Sequence, residues 1–588
     1  MKHFCGKFVK YREKIMIALL FLLIITIAVI WASQKSGMYI DEGMTLYLSN
    51  GNYNGAVTTD SDYTLFDFVG EYVWKGSISA TFSNVMGMIR QLTGGGNYSI
   101  QGSVDWYDEA RGLLQGSYAW MSGEELLGQI AVTKGDGFQY GQVLVNQAMD
   151  VHPPFYYLLV HTIFSLFRNS CTKWHLFAVN LMFLMGSLAL IYRLVRKYFG
   201  GFAPALLTAA LFGFSQGFMS CAVYFRMYAV FTFFVIAAYG VQLYLMEHDF
   251  ALDKRDRILL VLSTVLGFYT HYYFILFLAG IVLLNVFFFV RDKRFSCLLK
   301  YIKTMVIAGL ISLVIWPFSI YHILFGYRGT EAVSKLTASG FMKNAGDYIK
   351  VVSKAFFGKS IVLAGIMAAA LAVLAGAAVW GARKQKECDV IKSRKWLFAL
   401  FPSLFYSLFM IQITPVREDR YLMCVFPFLA MVIAWGILTI SSGFKDKVLQ
   451  RICCMVLSIG LVLLNLRTVP NYLYLEQRGK KAAETERNCI MLLLDDAYGY
   501  EQVMDLTEYP QVLVLTYTDV EVLSKLVPDD PQKGFVIYIH KVLEEEELLK
   551  EACEALSAAI GKELKADEAV EVESKYQYMR AFVITTAI

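Results

Sequence analysis

Between residues 15 and 467 the chain passes through eleven stretches almost free of charge. They lie at about 15–33, 174–192, 203–222, 226–246, 258–270, 272–290, 302–322, 361–381, 396–413, 421–441 and 451–467. A run of about 20 apolar residues matches the hydrocarbon thickness of a bilayer when helical, and a helix satisfies its own backbone there. The chain is therefore expected to be a polytopic α-helical membrane protein with about eleven transmembrane helices. Composition agrees: charged residues are 18% of the chain, against about a quarter in soluble domains. The first stretch is long enough to span, and no A-x-A-like site follows it, so it is expected to be retained rather than cleaved as a signal peptide.

Charge sets the expected topology. Lys2, Lys7, Lys10, Arg12 and Lys14 precede the first span, which places residues 1–14 in the cytoplasm. A hydrophilic segment of about 34–152 follows, with the run Gly94-Gly95-Gly96 and many Tyr and Trp. From Pro154 to Phe167 the chain is apolar again, but such a helix would be only roughly 20 Å long, too short to cross. It is expected to lie along the interface as a juxtamembrane helix, giving an extracytoplasmic loop over 34–173. With that choice the loops predicted inside are all basic: Arg193/Arg196/Lys197, Lys254/Arg255/Arg257, Arg291/Lys293/Arg294, Arg383/Lys384/Lys386 with Lys392/Arg394/Lys395, and Lys445/Lys447/Arg451. If the short helix crossed, all of them would lie outside, against the positive-inside bias. The loop 323–360 fits less well, since it is predicted outside yet holds six spread-out basic residues.

The transmembrane domain thus covers 15–467, and 468–588 reads as an extracytoplasmic accessory domain. There, β-rich runs at Cys489–Leu494, Val512–Thr518, Phe535–His540 and Met579–Thr586 alternate with helical patterns, notably Val542–Ile560. This predicts a small soluble α/β domain with a largely parallel sheet. Asp495-Asp496 follows its first strand, where such sheets often hold ligands, although two solvated acids in a turn explain it as well. The net charge of +5 is small and its cations cluster in short loops, which argues against a nucleic-acid partner. The ten cysteines have no framework spacing, and Cys453-Cys454 are adjacent, so neither a disulfide scaffold nor a zinc site is expected. No convincing phosphate-binding loop, dinucleotide fingerprint or internal repeat is present.

The stretch Met38-Tyr39-Ile40-Asp41-Glu42-Gly43-Met44 begins a few residues after the first span. Adjacent carboxylates repel each other, and partial burial adds to this, which favours a raised pKa on one of them and a general-base role. Taken alone, Asp41 and Glu42 are equally ordinary interfacial charges at a helix end. Other ionisable groups fall on the same predicted face: Asp150 and His152 before the short helix, Arg226 and Tyr228 at the start of a span, Thr270-His271-Tyr272-Tyr273 between two spans, and Arg417-Glu418-Asp419-Arg420-Tyr421 between two more. Each has a plain alternative: Arg226 can snorkel to headgroups, His271 can cap a turn, and Arg417 and Arg420 can pair with Glu418 and Asp419. Their convergence at one depth is less easily plain, since ionisable groups near apolar spans are costly and are functional candidates.

These residues resemble the GT-C glycosyltransferases, in particular the bacterial family 39-like branch of the protein O-mannosyltransferase and aminoarabinose transferase superfamily. The resemblance covers roughly 15–467. It rests on Asp41-Glu42 after the first span, Asp150-x-His152-Pro153-Pro154-Phe155-Tyr156-Tyr157, Arg226-x-Tyr228, and Thr270-His271-Tyr272 with Arg420-Tyr421 later. It implies a membrane enzyme that moves a sugar from a polyprenyl-phosphate donor to an acceptor hydroxyl on the extracytoplasmic face, with inversion. The acceptor would be a cell-envelope glycan, lipid or protein. By resemblance Asp41 would deprotonate the acceptor, with Glu42 supporting or sharing that role. Arg226, Arg417 and Arg420 would neutralise the lipid-linked phosphate. Asp150, Tyr228, His271 and Tyr421 would contact substrate. His152 stands where related aminoarabinose transferases carry a lysine, and a neutral imidazole is a poorer phosphate ligand. Metal dependence varies among such enzymes; without an Asp-x-Asp in the first loop, no required metal is expected, and a divalent ion stays possible. The main rival class is a transporter or flippase for lipid-linked sugars, which would place polar groups at mid-membrane on paired interrupted helices.

Overall fold

The computed structural model describes residues 2–51, 74–77, 79–81, 83, 118–324, 327–336, 339–362, 365, 387–494, 501–576 and 578–585. The run Gly94-Gly95-Gly96, the pair Asp495-Asp496 and nearly all of the predicted span 361–381 lie outside them. The chain divides into two compact units. One comprises Met1–Ser33 with Phe177–Asn471, the other Gln34–Leu176 with Tyr472–Ile588.

The first unit is a helical bundle. Among the described residues, eight helices are long and apolar enough to cross a membrane: Tyr11–Gln34, Lys173–Tyr198, Tyr228–Glu247, Phe274–Arg291, Phe295–Ile315, Arg394–Ile413, Met423–Ser442 and Lys447–Leu466. A ninth span is supplied if Phe202–Gly213 and Gln216–Val223, bent by 54° at the break, are taken as one. Ser215 produces that break: its side chain caps the second piece by accepting from the Phe218 N–H at 3.1 Å. The predicted span 258–270 corresponds to a helix of 15 residues, Lys254–Phe268. That is about 22 Å at 1.5 Å per residue, short of a full crossing.

Small residues and closed polar pairs let these helices approach. A Cβ at Gly280 would stand 2.7 Å from the Cα of Pro402 on the neighbouring helix. Gln242 and Asn285, both buried, exchange amide hydrogen bonds of 2.9 and 3.0 Å between two spans. That reciprocal pair satisfies both side chains at apolar depth and marks them as structural. At one end of the bundle the basic loops are tied by ion pairs: Arg196 to Glu13, Lys197 to Glu247, Arg294 to Asp249 at 2.7 Å, and Arg394 to Asp292 at 2.7 Å. Four of the five predicted inner loops, all but the one with Lys445, Lys447 and Arg451, are thus linked at one end. The segment expected as the loop 323–360 includes an amphipathic helix, Phe341–Phe357, tied to the bundle through Tyr348 Oη and Thr414 Oγ1 at 2.8 Å.

The second unit joins the first hydrophilic segment to the C-terminal region. Its sheet has six strands: β1 (Met121–Ser122), β2 (Asn488–Leu493), β3 (Gln511–Thr516), β4 (Phe535–His540), β5 (Val570–Val572) and β6 (Met579–Ile584). Their order is β1-β3-β2-β4-β6-β5. The sheet is mixed rather than largely parallel. β3, β2 and β4 run parallel, while β1, β6 and β5 join antiparallel. The central strands β2 and β4 are buried at every position, which explains their unbroken apolar sequences. Ile490, Leu492, Ile537 and Ile539 pack against Leu548, Leu549, Ala552 and Leu556 of the helix Glu545–Ile560.

The strand β1 comes from the first hydrophilic segment and covers the edge of β3, Met121 opposite Val512. Beside it, Trp120 donates to the Leu526 carbonyl at 3.1 Å, and Tyr118 donates to Asp519 at 2.6 Å. Ser122 then starts the helix Gly123–Ile130 with a capping box: it accepts from the Glu125 N–H, and the Glu125 carboxylate accepts from the Ser122 N–H at 2.7 Å. Tyr472–Ile588, nearly all of the region expected as an accessory domain, shares one compact unit with the first hydrophilic segment. The helix expected along the interface is Phe155–Leu166, 12 residues long, in this same unit.

Candidate functional site

Asp41 and Glu42 occupy the first turn of the helix Ile40–Asn50. Carboxylates there face the orphan N–H groups and the positive end of the helix dipole. Their environments differ. Glu42 is fully buried, and its Oε2 accepts from the Tyr39 N–H at 2.6 Å and from Lys35 Nζ at 2.9 Å. Lys35 is itself 2% exposed at its side chain and also donates to the Tyr472 carbonyl at 2.6 Å. Burial pulls the Lys35 ammonium below its ordinary pKa, and Glu42 opposes that shift. Asp41 is half-buried. Successive helical residues diverge by about 100°, so the two carboxylates leave the helix in different directions. Glu42 thus carries an ion pair with Lys35.

The same helix is held at its other end. Asn146, fully buried, donates to the Gly51 carbonyl at 2.8 Å. His161, on the short helix, bonds the Ser49 carbonyl through Nδ1 at 2.8 Å. Burial lowers the pKa of His161. Asp150 ends the helix Tyr140–Met149, and its Oδ2 lies 2.7 Å from His152 Nδ1. The imidazole is thereby oriented by a carboxylate two residues away, immediately before the Pro153-Pro154 pair that starts the short helix.

In the helical bundle the remaining candidates lie at three junctions between helices, opposite in chain direction to the ion-paired basic loops. Arg226 lies in the link Tyr224–Met227 and is 4% exposed. Arg420 is 6% exposed; its Nη1 donates to Tyr224 Oη at 2.6 Å and its Nε lies 3.0 Å from Glu418 Oε2. Its guanidinium also sits over the Tyr421 ring, 5.1 Å from the centroid. Tyr224 and Tyr228 stack with centroids 5.7 Å apart. Tyr228 meets Tyr421 edge-on and His271 at 5.5 Å. His271 is further packed on Phe231 and Tyr273, and its Nδ1 accepts from the Tyr273 N–H at 3.2 Å. Tyr228, His271, Arg420 and Tyr421 therefore form one continuous cluster, to which Tyr224 and Tyr273 belong as well. Arg417 is turned onto the carbonyls of Thr414 and Pro415 instead, at 2.7 and 3.3 Å. Asp419 accepts from Asn471 Nδ2 at 2.7 Å, and Asn471 in turn accepts from Lys354. Buried cations among tyrosine rings and hydroxyls can hold an anionic group by charge and hydrogen bonds together.

Solved structures similar to this chain include two of ArnT. ArnT from Cupriavidus metallidurans bound to undecaprenyl phosphate is 11% identical, with a TM-score of 0.44, over 73% of this chain and 87% of that one. ArnT from the same organism in the apo state is 10% identical, with a TM-score of 0.42, over the same shares. No protein-family model matches the chain, and no curated protein matches it.

Among the described residues, no group of three His, Cys, Asp or Glu side chains is close enough together to hold a metal ion. Sequence reasoning passed over Lys35, Tyr224 and His161. Tyr224 stands two residues before Arg226, within the stretch already singled out. Lys35 is a lone charge between an apolar span and two acids, which is itself a signal for pairing. His161 carries no such mark, because its partner is a backbone carbonyl 112 residues away.

Proposed function

We propose that this chain is a membrane glycosyltransferase of the GT-C type that takes a sugar from a polyprenyl-phosphate donor. The observation that carries this reading is the cluster of Arg420, Tyr224, Tyr228, His271 and Tyr421. It is a buried cationic and aromatic site at the ends of apolar helices, suited to a lipid-linked phosphate. The ArnT structure similar to this chain is bound to undecaprenyl phosphate, in keeping with a lipid of that class as partner.

In this scheme the acceptor hydroxyl attacks the anomeric carbon as the bond from that carbon to the phosphate oxygen breaks. The electron pair leaves with the phosphate, and the acceptor proton passes to Asp41. One displacement of this kind inverts the anomeric centre. Arg420 and Arg226 stabilise the charge that develops on the phosphate, the usual large electrostatic contribution. His152, oriented by Asp150, contacts the donor or its phosphate. The reaction faces the extracytoplasmic side, and the acceptor is a cell-envelope hydroxyl. A metal ion is not assigned a step.

The broken helix at Ser215 is the observation that favours a transporter, since half-helices often line transport sites. One assay separates the two. Purified protein is given a panel of radiolabelled polyprenyl-phosphate sugars and a membrane extract as acceptor, beside Asp41→Asn. Label should move from one donor, and the variant should lose about 10²–10⁴-fold in rate, the typical share of a general base. A folded Asp41→Asn protein with full activity refutes the base; no transfer from any donor by folded wild type favours transport.

A further inference from the structure

The segment that follows the last span meets the segment that follows the first. Ser36 N–H donates to the Leu473 carbonyl at 2.8 Å. Tyr39 and Tyr472 pack edge to face with centroids 6.2 Å apart. Lys35 Nζ lies 5.4 Å from the centroid of the Tyr474 ring while it bonds the Tyr472 carbonyl and the Glu42 carboxylate. Lys173 Nζ closes the other side by donating to the Lys35 carbonyl at 2.7 Å. Tyr472 and Tyr474 hold φ of 66° and 52°. This left-handed backbone is costly for a tyrosine and persists where the surroundings over-determine it. A Cβ at Gly37 would meet the amide end of the Gln477 side chain and the Cβ of Tyr474, so the Gln477 side chain would have to shift.

A buried ammonium and a buried carboxylate are expensive to desolvate, and such a pair often adds little net stability. Simple stability therefore gives a weak reason for this pair, whereas fixing one arrangement of chain gives a better one. We infer that Lys35 is a positioning residue that clamps the first turn of the acidic helix to the segment Tyr472–Gln477, and that Glu42 serves this clamp rather than the chemistry. Glu42 spends its Oε2 on the Lys35 ammonium and on the N–H that opens the helix. Asp41, at the preceding position and half-buried, is the carboxylate whose placement the clamp fixes. The region after the last span then bears on turnover through the geometry of one helix turn. This inference rests on the proposed transfer with Asp41 as base.

The test is a cycle of Lys35→Met, Glu42→Met and the double variant in the full-length protein, scored by melting temperature in detergent and by transfer kinetics. Each single change leaves a buried charge without its partner, so each should melt lower and turn over at least tenfold more slowly, with KM for the donor within about twofold. The double variant replaces the pair by two apolar side chains of similar length. It should recover its melting temperature and return to within about tenfold of wild-type turnover, while Asp41→Asn stays inactive. Glu42→Gln keeps an acceptor oxygen for Lys35 and for the Tyr39 N–H and should stay within about tenfold of wild-type turnover; a Glu42→Gln protein that melts like wild type but is as inactive as Asp41→Asn overturns the inference, because Glu42 would then act chemically. Single variants that keep wild-type melting and turnover overturn it as well. If a single variant does not fold, the double variant decides alone. Wild type that transfers no sugar refutes the proposed function instead; the melting cycle then still reports whether Lys35 and Glu42 are coupled, and additive melting shifts overturn the clamp.

Discussion

Removing one hydroxyl tests whether the buried arginine is aimed by its tyrosine. Tyr224→Phe keeps the ring that stacks on Tyr228 and deletes the oxygen that accepts from Arg420 Nη1 at 2.6 Å. A hydrogen bond to a charged group is worth about 1.5–3 kcal/mol, more than a neutral one. If Arg420 bears on the phosphate in the transition state, that amount appears in kcat/KM as a loss of about 10- to 150-fold. The assay is donor-dependent transfer by purified protein, with melting temperature as the check on folding. The background variant Arg420→Ala decides the cause. Tyr224→Phe should cost nothing further there, since its partner is already gone. Wild-type kinetics for folded Tyr224→Phe, or the same fold-loss in both backgrounds, refutes the claim that Tyr224 acts through Arg420.

Two further outcomes concern each unit by itself. Gly280→Ala would drive a Cβ to 2.7 Å from the Pro402 backbone, so the two helices must part. A loss of about 1–3 kcal/mol is expected, read as a lower melting temperature, whereas Gly309→Ala, with open space at its Cβ, should lose nothing. Burial pushes the Glu501 carboxyl up to about 7, above the unfolded value near 4.3. Between those values the native state binds the proton more tightly than the unfolded chain does. Stability therefore falls as pH rises from about 4.5 through about 7, by roughly 4 kcal/mol at most. Glu501→Gln should flatten the dependence of melting temperature on pH between 5 and 8; an unchanged slope would remove Glu501 as its cause.

The apolar spans and the four long strands were legible because burial writes itself into local sequence. An unbroken apolar run such as Val512-Leu513-Val514-Leu515, buried throughout, announces a central strand wherever it pairs. The two-residue strand Met121–Ser122 carries no such pattern, since its only strand feature is its partner. The difference between Asp41 and Glu42 was invisible for a related reason. Both are acids in one helix turn, and what separates them is a lysine seven residues back together with a carbonyl at Tyr472. Tyr228, His271, Arg420 and Tyr421 could be grouped from topology alone, because turns on one side of a helical bundle share a depth. The turn of Arg417 onto the Thr414 and Pro415 carbonyls could not, since that depends on the local path at Pro415.

The strand pairing of Met121 with Val512 also sets a timetable for synthesis. The stretch 34–176 is made early, but the strands that complete its sheet begin at Asn488. Some 300 residues must be translated between them, which at about 5–20 residues per second takes roughly 15–60 s. For that interval Trp120 and Met121 have no sheet to cover, while helix after helix enters the bilayer. The nascent chain thus carries an open half-domain until its last segment emerges, and defects in late residues should surface as degradation of early ones.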